Sequence, residues 1–134
     1  MLKLAIGLVL IAHGIGHTLG ILQVFKVATV NPAWHGDSWL LTPVAGTTLA
    51  QALGVVLWTA SVVGFVALGA VVVGWLPATW WPPVAVASSV VSLAALLLFP
   101  TAFPTFSTAA AFVVDVAVLV AVAALHWSPA DLTA

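Results

Sequence analysis

The 134-residue sequence contains no cysteine and no tyrosine, and its charged residues are two Lys and three Asp. Without cysteine the chain forms no disulfide, thiolate nucleophile or iron–sulfur site. Two basic residues cannot neutralise a phosphate backbone or attach the chain electrostatically to anionic lipid, which excludes nucleic acid as a partner. Soluble domains carry about a quarter charged residues. This chain carries 4%, too few to form a surface exposed to water.

Hydrophobic residues make up 64% of the chain and fall into four long runs. A helix crosses the hydrocarbon core of a bilayer with about 20 apolar residues. The pattern predicts an all-α integral membrane four-helix bundle, a single domain over 1–134, with membrane lipid as its surroundings. Proline and tryptophan clusters separate the runs. We expect helices at about 2–25, 44–75, 84–99 and 106–126, with both termini on the same side.

The N-terminal run has one feature of a signal peptide. Lys3 precedes the apolar stretch 4–12, as a basic residue precedes a signal-peptide core. No small-residue cleavage site follows at the right distance, and the apolar run resumes over 18–25. We therefore expect the first helix to be retained.

Three ionisable residues lie deep inside these runs. His13 and His17 are one helical turn apart and share a face of the first helix, and Asp115 interrupts the fourth run. The helical rise places His17, Asp115 and His13 roughly 13, 15 and 19 Å from the same membrane surface. Lipid offers no hydrogen-bond partner, so such groups face one another. The sequence predicts a His17–Asp115 hydrogen bond with His13 beside it.

Other polar side chains come close to this layer. Ser89, Ser92 and Trp58 reach a similar depth, whereas Gln23 and Gln51 lie nearer the membrane surface. We interpret all five as walls of a substrate-binding site. The alternatives are helix–helix packing for the serines and a capping or surface role for the glutamines.

The polar layer has several interpretations. It could specify helix packing, or form a homo-oligomeric proton path. It could be catalytic, with Asp115 orienting His13 or His17 as a general base that transfers protons on a quinone, sterol, polyprenyl or fatty acyl molecule. Two His and one carboxylate could also hold a divalent metal such as zinc, or non-haem iron. Haem fits less well because both His lie on one helix. The cofactor is left open.

Small residues recur at four-residue spacing along the second helix, in the pairs Ala50/Gly54, Ala60/Gly64 and Ala70/Gly74. This spacing lets helix backbones approach closely in lipid. It favours close packing of this helix against another. The stripe also suits a non-catalytic accessory subunit that docks onto a larger membrane complex.

The segment His13-Gly14-Ile15-Gly16-His17, followed by Gly20 and Phe25, resembles a group of small bacterial four-helix membrane proteins. Their first helix carries a His-Gly-x-x-His motif, and the general layout is also similar to DoxX-type membrane proteins. The group often has Gly-Thr-x-x-Asn in its last helix, where this chain has Ser107-Thr108 followed by Ala111. The resemblance implies a four-helix fold in a bacterial cell membrane and marks His13 and His17. It implies no particular reaction.

Overall fold

The computed structural model describes residues 1–132, which form helices and no strand. The α-helices are α1 Leu2–Gly16, α2 Thr18–Val24, α3 Leu41–Val73, α4 Trp81–Leu98 and α5 Thr105–Leu119. A π-helical turn, Val120–Ala124, continues α5. Short 3-10 turns cover Ala78–Trp80 and Pro129–Asp131. Together α1 and α2 make up the first span.

Four segments are long and apolar enough to cross a membrane: Leu2–Val24, Leu41–Val73, Ala78–Leu98 and Thr105–Ala124. At most 39% of each apolar window is buried inside the bundle, and for the last span only 11% is. So much outward apolar surface requires lipid around it, and the chain is a multi-pass membrane protein. The first span packs against α3, α3 against α4, and α4 against α5. The predicted all-α four-helix bundle is confirmed.

Two helix boundaries differ from the sequence prediction. The third span begins its α-helix at Trp81 rather than at residue 84, with Pro82 and Pro83 in the first turn. Proline is tolerated there because the first-turn N–H groups have no partner within the helix. The second span ends at Val73, because Gly74 adopts φ 87° and caps the helix in the left-handed region. Gly74 therefore terminates a helix, and does not serve the predicted helix contact.

The second and fourth spans also contain local irregularities. Gly46 has φ 80° and ψ 163°, which bends the exposed first turns of α3 away from the rest of that helix. The fourth span leaves the α-helical form at Val120 and ends at Ala124, two residues before the predicted end. The amide of Leu125 bonds to the carbonyl of Val120, as a π-helical turn requires.

Glycines let the first span approach α3 closely. A Cβ added to Gly69 would lie 2.7 Å from the carbonyl oxygen of Gly7, and one added to Gly14 would lie 3.1 Å from that of Val62. Backbone atoms cannot yield to a side chain at such distances. The predicted role of small residues in α3 is therefore seen at Gly69, while Gly64 faces Ser88 of α4. The matching glycines of α1 were not predicted.

Two apolar clusters lie on either side of the polar residues. We call the first the Trp34 end, formed by Trp34, Ala50, Trp58, Ala95, Leu96, Phe99, Ala102 and Phe103. We call the second the Trp81 end, formed by Leu10, Phe65, Leu68, Val71, Val72, Trp81, Ala85 and Val118. The rings of His13 and His17 lie between these clusters. His13 contacts Phe65 edge to face, and His17 contacts Phe103 in the same manner.

Candidate functional site

The first span is interrupted at His17, between α1 and α2. The amide of His17 bonds to the carbonyl of Gly14, and the amide of Gly20 bonds to the carbonyl of His17. These i→i+3 bonds tighten the helix locally into a 3-10 turn. The ring centroids of His13 and His17 lie 5.1 Å apart, with the planes at 80°. Both rings therefore lie on one face of the span, as their spacing predicts.

Four side chains from three of the four spans join in one unbranched hydrogen-bonded chain. His13 Nε2 lies 2.9 Å from Asp115 Oδ1. Ser92 Oγ donates to Asp115 Oδ2 at 2.6 Å and lies 3.0 Å from His17 Nε2. The order along the chain is His13, Asp115, Ser92, His17. The polar residues thus meet in a single layer, as their depths predict.

The partner of Asp115 is not the histidine that the sequence predicted. The carboxyl bonds to His13 directly and reaches His17 only through Ser92. Residues four apart on a helix are separated by about 6 Å along its axis. One carboxyl group opposite His13 cannot also touch His17, and Ser92 of α4 bridges the remaining gap.

All four groups are enclosed by protein. Asp115 and Ser92 have no exposed surface, and His17 is 3% exposed. The side chain of His13 keeps 7% of its surface accessible. Any charge in this layer is separated from water, so its partners must come from the network itself.

The hydrogen bonds can be satisfied in two ways, because a serine hydroxyl carries one hydrogen. In the first arrangement Ser92 donates to an ionised Asp115 and accepts from His17 Nε2, leaving Nδ1 of His17 as a bare acceptor. In the second, a protonated Asp115 donates to Ser92, Ser92 donates to His17 Nε2, and Nδ1 carries the hydrogen. Interchange of the two arrangements moves a proton along the chain. The network is a proton relay whose ends are two imidazoles.

One end of this relay is free. Within residues 1–132, the buried polar side-chain atoms that lack a hydrogen-bond partner are His17 Nδ1, Trp58 Nε1 and Ser89 Oγ. Buried polar atoms are nearly always paired. For His17, the unpaired atom is the one that a neighbouring molecule could engage without breaking the relay.

A cleft of ≈ 340 Å³ lies between the first span and α5, beside the two histidines. It is lined by Val9, His13, Gly16, His17, Leu96, Phe103, Phe106, Ser107, Ala110, Ala111 and Val114. A Cβ added to Gly16 would meet no atom within 4 Å, so the cleft wall is open at that residue. Since α5 belongs to the least buried span, the cleft faces lipid rather than the interior of the bundle.

Four of the predicted substrate-binding residues lie outside this cleft: Gln23, Gln51, Trp58 and Ser89. Gln23 stabilises the first loop, because its Oε1 accepts hydrogen bonds of 2.9 Å from the amides of Val30 and Asn31. Its capping alternative is therefore the one observed. Gln51 packs against Gly36 in the same loop. These residues lie at the membrane surface or face α4, away from the seam between the first span and α5.

The metal interpretation requires His13, His17 and Asp115 to converge on one point. Among residues 1–132 no group of three or more His, Asp, Glu or Cys side chains is arranged to hold a metal ion. His17 and Asp115 are separated by the Ser92 hydroxyl. The three predicted ligands therefore belong to one hydrogen-bonded network, and do not form a metal-ligand group.

No protein-family model matches this chain, and no similar protein is found among curated proteins or solved structures. The resemblance carried by the segment 13–17 stays a prediction. The relay and the cleft are what a functional assignment can be built on.

Proposed function

We propose that this membrane protein binds a lipophilic molecule in the cleft between the first span and α5 and transfers protons on it. The observation that carries this proposal is that the two end groups of the relay, His13 and His17, both border the cleft. The apolar lining suits a molecule that arrives from the bilayer, and the imidazoles supply the groups that would react with it.

Each residue of the relay has a defined task in this function. His17 accepts a proton from the molecule at Nδ1 and passes its Nε2 proton to Ser92. Ser92 passes its own proton to Asp115, and His13 delivers a proton from Nδ1 to the molecule. His13 starts doubly protonated beside an ionised Asp115, and both end neutral. The molecule loses one proton and gains another, so the reaction class is a proton-shift isomerisation without a co-reactant.

The relay keeps the same net charge throughout this cycle. The starting state pairs an imidazolium with a carboxylate, and the final state contains four neutral groups. A net charge at this depth would be costly in a bilayer. General acid–base groups of this kind typically contribute about 10²–10⁴ in rate.

Helix packing is the competing function for the same residues. Interhelical polar contacts in one membrane protein are worth about 0.6 kcal/mol on average, a small return for burying an aspartate. Packing alone would also not require a cleft bordered by both histidines. Copurification with a larger complex that depends on Gly64 rather than on His17 would favour the accessory-subunit alternative.

Binding can be tested by mass spectrometry of the lipids that copurify with the protein in nanodiscs. Gly16→Leu fills the cleft, whereas Ala12→Leu adds the same volume to an exposed position on the same helix. We expect one lipid species to be enriched with the wild type and Ala12→Leu and lost with Gly16→Leu. An identical lipid complement for all three proteins would contradict binding in the cleft.

Proton transfer has a separate readout. In D₂O, the bound species should gain deuterium at carbon with the wild type, because the relay exchanges its protons with solvent deuterium. His17→Phe preserves a ring at this position but removes the accepting nitrogen. Enrichment of the lipid without exchange in either protein would leave a binding protein and refute the catalytic part.

A further inference from the structure

We infer that a second groove, at the Trp81 end, holds the hydrocarbon tail of the bound molecule, and that this molecule is a neutral single-chain lipid with a hydroxyl or carbonyl head. This inference rests on the proposed function. It adds the orientation of the molecule and the chemical class of its head group.

The groove has a volume of ≈ 440 Å³ and lies along the same seam as the cleft. Apart from the indole groups its lining is aliphatic, and it shares Val9 and Val114 with the cleft. The two spaces are therefore contiguous. Its remaining lining residues are Ala5, Ile6, Leu10, Trp81, Ala117, Val118, Ala121 and Trp127.

Two indole rings close the far end of this groove. The ring centroids of Trp81 and Trp127 lie 5.0 Å apart with the planes at 83°. Trp81 Nε1 donates to the carbonyl of Trp127 at 2.8 Å, which fixes the pair. Ala5, at the level of the groove, lies about 12 Å along the helix axis from His13. One extended tail fits between the imidazoles and the indoles.

The charge distribution selects the head group. Lys26 borders a separate pocket at the Trp34 end, and Lys3 borders another beside Gly74. No Lys or Arg lines the cleft or the groove. A phosphate held beside His17, near mid-membrane depth, would lack a permanent countercharge. A hydroxyl or carbonyl needs only the hydrogen bonds that an imidazole can donate or accept.

Photolabelling in nanodiscs tests this placement with two probes made from one long-chain primary alcohol. One probe carries a diazirine at the terminal carbon, and the other carries it next to the hydroxyl. We expect the terminal diazirine to label Ala117 or Ala121, and the diazirine near the hydroxyl to label Ala110 or Ala111. Excess unlabelled alcohol should reduce both labels at least tenfold, which separates bound probe from bulk lipid.

Matched variants assign the label to the groove. Ala121→Phe fills it, whereas Ala124→Phe places the same ring on an exposed position outside the lining. Displaceable terminal labelling should be lost with the first variant and kept with the second. Ala117→Phe repeats the blockage from another position, in case Ala121→Phe is not recovered as a monodisperse protein.

The outcomes distinguish the inference from the proposed function. Displaceable labelling near the hydroxyl, with terminal labelling confined to non-displaceable lipid-facing sites such as Val113, would overturn the tail groove and keep the cleft. Absence of displaceable labelling by both probes would overturn both. Stronger displacement by an alkyl phosphate than by the alcohol would overturn the neutral head group.

Discussion

The Trp34 end and the Trp81 end of the bundle are built differently, although both are apolar. At the Trp34 end, Trp58 is fully buried, and its ring centroid lies 5.2 to 5.9 Å from those of Phe99, Trp34 and Phe103. At the Trp81 end, one indole pair borders an open groove between the first span and α5. One end is closed by aromatic packing, and the other leaves room for a ligand.

Hydrogen bonding follows the same division. The first loop bonds to the end of α4 and the following turn through Ser38, Trp39 and Asn31. Their acceptors are the carbonyls of Leu98, Leu97 and Thr101, at 2.6 to 2.7 Å. Such bonds satisfy carbonyls that a helix end leaves free. The difference indicates that the Trp34 end is the scaffold against which the seam at the relay can remain open.

The largest expected effect is a difference between two tryptophan truncations. Trp58→Ala should reduce the free energy of unfolding by about 3–5 kcal/mol, because it leaves a large cavity in a fully buried cluster. Trp127→Ala should cost less than about 2 kcal/mol, since that residue lies half-buried at the edge of a groove. Titration with SDS in mixed micelles measures both values. Equal losses would contradict the distinction between a closed and an open end.

The next effect concerns the close contact of the first span with α3. Gly69→Ala should cost about 1–3 kcal/mol, because its Cβ meets the backbone of Gly7. Gly16→Ala is the matched control, as its Cβ enters open space. A stability for Gly69→Ala equal to that of Gly16→Ala would show that the two helices can separate without loss.

The sequence was sufficient to predict the four helices, since long apolar runs with few charges have few other solutions. It was also sufficient for the common depth of His13, His17 and Asp115, which follows from the helical rise. The pairing within that layer could not be predicted, because it depends on how α5 is rotated and on Ser92 reaching between partners. The cleft could not be predicted either, because it arises where two helices fail to pack.

A smaller change in stability is expected for the relay, with a large change in chemistry. Ser92→Ala should cost about 1 kcal/mol and lower deuterium exchange into the bound molecule at least 100-fold, because it separates His17 from Asp115. Ser61→Ala is its control, since that buried hydroxyl bonds only to Leu57 of its own helix. Undiminished exchange with Ser92→Ala would refute a relay through the hydroxyl.

The smallest expected effect tests whether the Trp34 end acts as a scaffold. Asn31→Ala removes the hydrogen bond to the carbonyl of Thr101 and should cost about 1 kcal/mol. Hydrogen–deuterium exchange should accelerate over 98–103 and remain unchanged around Trp81. Equal acceleration at both ends would indicate that the bundle opens as a single unit.

The π-helical turn after α5 has a consequence for how this protein can change over generations. A π-helical turn contains one residue more than an α-helical turn, so deletion of one residue within Val120–Ala124 can restore an ordinary helix. That deletion would turn Trp127 by about 100° around the helix axis. Loss of a single codon would therefore swing the indole away from Trp81 and lengthen the groove, with the four relay residues left in place.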